Sequence, residues 1–324
     1  YLGAQCLFNR VGIKGLAKAN YGLDHGEIGL GSKFDSQLAF DQHYSLPIVF
    51  LECYLTLQEK KRAIREFAKV HGFPLVLKSN VGSVGKGIAK VNNDDDIEKH
   101  TPRLLGGFIL QKFTPYPFEC GIFYVRQNGK PRVTGINMKH FPTVLGNGKD
   151  DLLTLARNHY RYTQHWNAFL QDIDTSLVLD NGQEKRLSFI GSHTLGCKFT
   201  DDEHLRTPEL EAQIFKLFES QPGFNFGRVD VKAADEEALK RGEFVVIEVN
   251  GVASLPTHMF DPKYSVTQAY KIFFQHGKYL AQIAAEHREK SMELLSCPQV
   301  IKKVGENQAL LNQVHQALMG NPTV

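Results

Sequence analysis

The residues best suited to chemistry lie on two β-rich segments, GRVDVK and FVVIEVN. Side chains alternate along a strand. Arg228, Asp230 and Lys232 therefore share one face of the first segment, and Glu248 and Asn250 share one face of the second. A carboxylate within an apolar strand is costly unless it is paired or bound to a cation. Carboxylate and amide oxygens are hard ligands, which favour Mg²⁺ over zinc. Two interpretations follow: a magnesium site, or a structural set of ion pairs.

A second chemical signal is the glycine-rich segment Ser79–Gly87, SNVGSVGKG, between the predicted strands Pro74–Lys78 and Ile88–Val91. Its glycines let the backbone approach a ligand closely, and its small side chains leave N–H groups open to anions. Lys78 and Lys86 can both reach phosphate oxygens. The segment lacks the Walker A pattern, and a strand rather than a helix follows it, which excludes a dinucleotide fingerprint. A plain β-hairpin with a long tip remains the alternative.

Strands and helices in mixed order must position these residues. Apolar and alternating patterns predict further strands at Leu46–Leu51, Phe108–Phe113, Glu119–Arg126 and Pro131–Lys139. Helices are predicted around Ser36–Tyr44, from the capping box Thr56–Glu59 to Gly72, over Asp150–Tyr160, after Thr207, over Val266–Glu289 and after Ser296. On Val266–Glu289 we expect Tyr270, Phe273 and Phe274 to face the interior. The polar segment Gly191–Lys198 is either a mobile cover or a surface loop.

Composition excludes several classes of protein. The chain has 324 residues, 42% hydrophobic and 23% charged, enough for about two domains or subdomains. The net charge of +3 is dispersed, so we expect no nucleic-acid partner. Apolar runs fall far short of the roughly 20 residues that span a membrane, and no signal peptide is evident. The five cysteines are scattered, which argues against disulfides or zinc and favours a reducing, cytoplasmic compartment.

Taken together, the segments from about Ser32 to Pro262 resemble the ATP-grasp superfamily, and D-alanine–D-alanine ligase and other carboxylate–amine ligases most closely. The loop FPTVLGNGK also resembles that of cyanophycin-synthetase-type enzymes, with Asn147 in place of an Asp. The resemblance implies an α+β fold in which two subdomains grip ATP between antiparallel sheets.

The resemblance also implies a division of the chain. Residues 1–32 would be a remnant of an N-terminal region, 33–110 the small subdomain with the glycine loop, 111–290 the large subdomain with the Mg²⁺ site, and 291–324 a peripheral C-terminal helix. The family's N-terminal αβ domain is nearly absent. We therefore expect either a truncated sequence or an acceptor pocket that is built differently.

The resemblance assigns nucleotide-binding roles. Lys33, in GSKFD, would contact phosphate, and Lys78 the α-phosphate and the purine edge. The glycine loop, including Ser79, Gly82, Ser83, Gly85 and Gly87, would fold over the β- and γ-phosphates. In FILQKF, Gln111 replaces the usual acid of the hinge between the subdomains, and Lys112 and Phe113 would give adenine its backbone contacts. Glu119 matches the acid that binds the ribose hydroxyls.

The remaining roles concern catalysis and metal. Lys139 would support the γ-phosphate, and Arg228 would stabilise the transferring phosphoryl group. Asp230 would hold one Mg²⁺, Glu248 would bridge two ions, and Asn250 would bind the second, with Mn²⁺ as an alternative metal. His258 lies in the expected substrate loop NGVASLPTHMFDP, where it could orient substrate, although a structural loop histidine is the simpler interpretation.

The implied activity is that of a ligase that uses ATP to convert a carboxylate to an acylphosphate and joins it to an amine, of amino-acid or peptide type. Such chemistry needs charge neutralisation and alignment and no protein nucleophile. The alternatives are a kinase, a thioester-forming ligase and a non-catalytic ATP-binding module. The resemblance also allows a homodimer, and we expect small-molecule substrates and no membrane partner.

Overall fold

The structure is a computed structural model that describes residues 1–28, 31–82, 85–162, 170 and 173–318. Its fold class is α+β. The helices of the described residues are α1 (Leu2–Phe8), α2 (Lys33–Leu38), α3 (Leu57–His71), α4 (Asp94–His100), α5 (Leu152–Arg157), α6 (Pro208–Glu219), α7 (Glu236–Lys240), α8 (Val266–Glu286) and α9 (Cys297–Leu318).

The strands are β1 (Ile48–Leu51), β2 (Leu75–Ser79), β3 (Ile88–Val91), β4 (Phe108–Lys112), β5 (Phe118–Gln127), β6 (Lys130–His140), β7 (Thr143–Leu145), β8 (Glu184–Arg186), β9 (Lys198–Asp201), β10 (Phe226–Ala233) and β11 (Val245–Asn250). They form a small sheet in the order β1-β4-β2-β3, a large sheet in the order β11-β10-β5-β6-β9, and the pair β7-β8, all antiparallel.

The small sheet carries the glycine loop and has its own core. Ile64 of α3 and Ile97 of α4 are fully buried beneath its strands. The C-terminal helix α9 adds Val314 and Leu318 to the same core. Helix α9 therefore packs against the strands that flank the glycine loop.

The large sheet carries the acidic strands and is packed on both faces, as the alternation of its side chains requires. On one face, Ile122 and Val229 pack against Ile214 and neighbouring side chains of α6. On the other, Phe123 packs with Ala281 and the rest of the buried stripe of α8. A smaller core lies around α5 and the β7-β8 pair.

Most predicted elements are present, with two exceptions. The single helix predicted around Ser36–Tyr44 is wrong: α2 begins after its N-cap Ser32 and ends at Leu38, and a separate 3-10 turn covers Gln42–Tyr44. The inward orientation predicted for Tyr270 and Phe273 is also wrong.

Those two aromatic side chains are 55% and 37% exposed. The buried residues of α8 begin at His276 and continue to Ala284, because the second half of the helix supplies the packing. The capping box of α3 is confirmed, with Thr56 and Glu59 bonded reciprocally. Across the described residues, no helix combines the length and the apolar content that crossing a bilayer requires.

Candidate active site between the two sheets

A cavity of about 510 Å³ lies between the small and large sheets. It brings together residues from distant parts of the chain. Fourteen of the predicted site residues line it: Lys33, Lys78, Ser79, Gly82, Gly85, Gln111, Lys112, Phe113, Glu119, Lys139, Arg228, Asp230, Glu248 and Asn250. Ser83 lies outside the described residues.

Gly87 is described but does not line this cavity. Its φ is +70°, and a Cβ there would come within 2.9 Å of the Ser79 Cβ and 3.3 Å of Leu311. Glycine is needed at this position because the backbone turns where only glycine turns freely and packs tightly against α9. The structure therefore supports a role for Gly87 in shaping the loop and gives it no face toward the cavity.

The acidic strands pair in a register that places the predicted residues side by side. β10 and β11 are antiparallel, with Asp230 opposite Glu248 and Arg228 opposite Asn250. On the other side of β10, Gly121 lies opposite Asp230. A Cβ at Gly121 would approach the Asp230 Oδ1 to 3.0 Å, so the glycine leaves room for the charged side chains. Strand alternation and pairing together create the cluster.

Asp230 is the centre of a buried ion network. Its Oδ1 accepts from Arg228 Nε at 2.7 Å, and its Oδ2 lies 3.1 Å from Lys139 Nζ. Lys139 Nζ also donates to Glu119 Oε1 at 2.9 Å, and Lys232 Nζ lies 3.3 Å from Glu119 Oε2. Burial alone would raise the pKa of the Asp230 carboxyl, but Arg228 and Lys139 lower it to about 2. The carboxylate is therefore ionised under ordinary conditions.

Glu248 belongs to a second, more open group. Its Oε1 pairs with Lys33 Nζ at 2.8 Å, and its side chain is 35% exposed. Burial would raise the pKa of the Glu248 carboxyl, but Lys33 lowers it. Lys78 Nζ donates to the backbone oxygen of Ile247 at 3.0 Å. Burial lowers the pKa of Lys78 to about 8, which leaves this ammonium close to its titration point near neutral pH.

The segment predicted to contact adenine has its amide donors occupied. The N–H of Lys112 donates to the oxygen of Pro47 at 3.0 Å, and that of Phe113 donates to the oxygen of Pro74 at 3.3 Å. The Lys112 side chain reaches back to the carbonyls of His71 and Gly72 at the end of α3. Contacts through these two backbones would therefore use carbonyl oxygens or require the chain to move.

Three polar side-chain groups that line the cavity have no hydrogen-bond partner among the described residues. They are the hydroxyl of Ser79, the side-chain amide nitrogen of Gln111 and that of Asn250. A buried donor or acceptor left unpaired costs about 1–3 kcal/mol. Such groups on the wall of one cavity are typical of a site whose ligand supplies the missing partners.

No family model matches the chain, and no curated protein matches its sequence. Among solved structures, the D-alanine–D-alanine ligase from Bacillus anthracis aligns at 14% identity and a TM-score of 0.45, over 87% of this chain and 70% of that one. An ATP-grasp RimK domain protein from Sphaerobacter thermophilus aligns at 12% identity and 0.39, over 80% and 67%.

A bifunctional glutathione synthetase from Pasteurella multocida aligns at 15% identity and a TM-score of 0.39, over 75% of this chain. This chain spans only 36% of that enzyme. At these identities and TM-scores the alignments carry no argument about activity or substrate, which must rest on the site itself.

The carboxylates and the amide of the two acidic strands predict a divalent cation at this site. No cluster of three or more His, Cys, Asp or Glu side chains in the described part of the chain is placed to hold a metal. The expected set instead has two carboxylates, from Asp230 and Glu248, and the amide of Asn250. The carboxylates face each other across the strands and lie close enough for Asp230 to oppose ionisation of Glu248. These hard oxygen ligands fit Mg²⁺. An ion bound by Glu248 would displace the Lys33 ammonium from that carboxylate.

Several residues at the cavity were not assigned from sequence as site residues. Glu27 lines it, is 7% exposed, accepts a hydrogen bond from Ser36, and has a pKa raised by burial. The segment from Phe189 to Thr194 forms one wall. A Cβ at Gly191 would lie 2.1 Å from Glu119 Oε1, so this wall packs directly on the ion network.

Only weak sequence signals pointed to these residues. Lys232 shares a strand face with Asp230, which could have marked it, but Phe189–Thr194 has no periodicity to interpret. His258 does not line the cavity; its ring lies over Gly135, and burial lowers its pKa to about 4. It is neutral near pH 7. The adjacent Thr257 lines the cavity and bonds to Asn137.

Proposed function

We propose that the chain is an ATP- and Mg²⁺-dependent ligase that activates a carboxylate as an acylphosphate and joins it to an amine of amino-acid or peptide type. The observation that carries this proposal is the composition of one cavity. Four cations, Lys33, Lys78, Lys139 and Arg228, surround the paired carboxylates of Asp230 and Glu248. Phosphoryl transfer depends on this kind of charge neutralisation and alignment.

The nucleotide would bind between residues 33–110 and 111–290. Lys33 and Lys78 offer charge to its phosphates, and the glycine loop offers backbone N–H groups. The unpaired hydroxyl of Ser79 and the unpaired amide nitrogen of Gln111 support a polar ligand on the small-sheet wall. Glu119 would accept ribose hydroxyls, although two lysines already engage its oxygens.

Asp230, Glu248 and Asn250 would hold one or two Mg²⁺ ions. Bound ions would neutralise the phosphate oxygens during transfer. The chain itself contributes Arg228 and Lys139, which Asp230 holds in place through bonds of 2.7 and 3.1 Å. Their positions are thus set before any ligand arrives, as electrostatic stabilisation of a transition state requires.

The reaction balances without a protein nucleophile. A carboxylate oxygen attacks the γ-phosphorus, the bond to the β-phosphate oxygen breaks, and ADP leaves. The amine then attacks the acyl carbon, inorganic phosphate departs, and the amine nitrogen loses a proton. Burial raises the pKa of the Cys197 thiol to about 12 and also raises that of Cys120, which removes the nearby thiols as nucleophiles.

A non-catalytic nucleotide-binding module is the second candidate. One observation favours it: Glu248, an expected metal ligand, is already neutralised by Lys33. A kinase or a thioester-forming ligase would use the same cavity and differ in the acceptor.

The deciding experiment measures ADP and phosphate release with ATP and Mg²⁺ against a panel of amino acids and short peptides. Glu248→Gln is the control, and it should abolish Mg²⁺-dependent turnover while circular dichroism shows an intact fold. Release that requires one acid–amine pair supports the ligase, and ADP without free phosphate supports a kinase. ATP binding without release in any mixture supports the module. Unchanged turnover in Glu248→Gln removes the metal assignment.

A further inference from the structure

A second cavity, of about 770 Å³, shares Phe113 with the cavity between the two sheets. Its walls come from the edge strand β3, the segment from Phe113 to Tyr116, and the segment from Lys185 to Ile190. Phe113, Phe189 and Lys232 line both cavities. The two spaces are therefore neighbours that share a wall.

Three cations that line this second cavity lie against aromatic rings. Lys90 Nζ lies 4.3 Å from the centre of the Phe113 ring, and Lys232 Nζ lies 5.8 Å from the same ring. The Arg186 guanidinium lies 3.2 Å from the centre of the Phe141 ring, which Lys232 also approaches at 5.9 Å. The aromatic faces attract these cations and hold them in place. Three positive groups are thus fixed around two rings.

Basic side chains outnumber acidic ones on the walls of this cavity. Five basic side chains line it, Lys90, Lys99, Lys185, Arg186 and Lys232, against two acidic ones, Asp96 and Asp174. Both carboxylates have local hydrogen bonds: that of Asp96 accepts from the backbone and side-chain amides of Asn92, and that of Asp174 accepts from Ser176. Neither forms an ion pair with Lys90, Lys185 or Arg186.

The guanidinium of Arg186 is only partly hydrogen-bonded. Its Nε donates to the Ser188 oxygen at 2.7 Å, but one terminal nitrogen is buried without a hydrogen-bond partner among the described residues. Burial lowers the pKa of the Arg186 guanidinium. The pKa of the Lys90 ammonium is lowered mainly by burial and further by the positive charge of Arg186. Among the described residues, Lys232 pairs with one carboxylate, that of Glu119, which also pairs with Lys139. Partly buried cations of this kind are costly unless an anion joins them.

We propose that this second cavity binds a small anion with more than one negative charge, a phosphorylated or polycarboxylate compound, between Lys90, Arg186 and Lys232. The arginine fork suits the two oxygens of a phosphate or carboxylate group, and the lysines provide point charges on either side. The site is separate from the proposed nucleotide site and does not depend on the ligase activity. Because Phe113 and Lys232 belong to both walls, an anion here also touches the wall of the first cavity.

The test is calorimetric titration of the full chain with inorganic pyrophosphate, repeated with succinate to separate phosphate from carboxylate preference. Arg186→Gln should weaken binding at this site by at least about tenfold, the loss of one charge-assisted hydrogen bond. Lys90→Gln should weaken it in the same direction. Arg62→Gln is the matched control, because Arg62 is 75% exposed and its one ion pair in the described part of the chain is with Glu66 on its own helix.

Pyrophosphate can also enter the first cavity, so Arg228→Gln is titrated in parallel. Binding that survives Arg228→Gln and is lost in Arg186→Gln or Lys90→Gln supports the proposal. Binding lost only in Arg228→Gln overturns it, as does an equal loss in Arg62→Gln. If Arg186→Gln does not fold, Lys90→Gln decides, since Lys90 has no hydrogen bond or ion pair among the described residues. No pyrophosphate or succinate binding to the unaltered chain also overturns the proposal.

Discussion

The two walls of the cavity between the sheets differ in how completely their polar groups are paired. On the large-sheet wall, Asp230, Lys139 and Glu119 are 5% exposed or less and bond to one another. On the small-sheet wall, Lys78 has one hydrogen bond to a backbone oxygen, and Ser79 and Gln111 have unpaired polar atoms. Asn250 is the exception on the large-sheet wall, because its side-chain amide nitrogen is also unpaired. The ion network of the large-sheet wall is therefore organised without a ligand, whereas the small-sheet wall offers groups that a ligand would complete.

The largest effect is expected when the buried ion network of the large-sheet wall is broken. Asp230→Asn keeps the shape of the side chain but leaves Arg228 and Lys139 without their shared carboxylate. Breaking a buried ion pair in this way costs about 3–5 kcal/mol. The free energy of unfolding, measured by urea denaturation, should fall by that amount. A loss below about 1 kcal/mol would show that the network tolerates an uncharged centre and that the walls differ less than their contacts indicate.

The next effect concerns the helix behind the small-sheet wall. Leu311 of α9 is 2% exposed, and Cβ atoms at Gly82 and Gly87 would lie 2.6 and 3.3 Å from it. Leu311→Ala should cost about 2–5 kcal/mol of unfolding free energy, because it opens a gap beneath the glycine loop. Ile301→Ala on the same helix is the control: Ile301 is 72% exposed, so about 0.5 kcal/mol or less is expected. Equal effects at the two positions would contradict the packing of α9 on the loop.

A smaller effect on stability and a clear one on binding are expected at Lys78. Lys78→Met removes one hydrogen bond, so the unfolding free energy should change by no more than about 1 kcal/mol. Loss of a charged contact to phosphate should weaken ATP binding by roughly tenfold to a hundredfold, measured by calorimetry. Unaltered affinity would remove Lys78 from the proposed nucleotide site. Asp230→Asn thus tests how much the ion network stabilises the fold, whereas Lys78→Met tests ligand binding with little change in stability.

The smallest effect is a pH dependence. The pKa of Lys78 is about 8 in the folded chain, below its ordinary value near 10.4. Below pH 8 the ammonium is charged and attracts phosphate, so ATP affinity should decrease as pH rises through about 8. Between about 8 and 10.4 the unfolded chain holds the extra proton, so this group makes stability rise with pH there.

Lys78→Arg provides the matched control for this pH dependence, because arginine stays charged throughout the range. ATP affinity measured from pH 7 to 9.5 should decrease in the parent chain and remain nearly level in Lys78→Arg. The same slope in both proteins would assign the titration to another group.

Local patterns predicted much of this molecule. The capping box at Thr56 was correct because its two bonds join residues three positions apart. Strand β3 was predicted with its observed bounds, Ile88–Val91, because glycine and polar residues flank a short apolar run. Alternation alone placed Asp230 with Arg228 on one face. Each of these features depends on neighbours in sequence, and such features can be inferred without the fold.

Other features needed the packed structure. The inward face of α8 was mispredicted because its aromatic residues follow helical spacing, whereas burial depends on which turns meet the sheet. The wall formed by Phe189–Thr194 has no periodic signal at all. The resemblance marked the hinge residues Lys112 and Phe113, but only the structure places their amide donors within the fold.

The sequence by itself determined the α+β class, the glycine loop, the acidic strand pair and a list of charged residues suited to phosphate and Mg²⁺. Tertiary structure alone decided which charges meet: Lys33 with Glu248, Lys139 with both Asp230 and Glu119, and the cations around Phe113 and Phe141. The reason is physical. Strand and helix patterns arise from neighbours along the chain, whereas an ion pair depends on the register and packing of strands and helices that lie far apart in sequence.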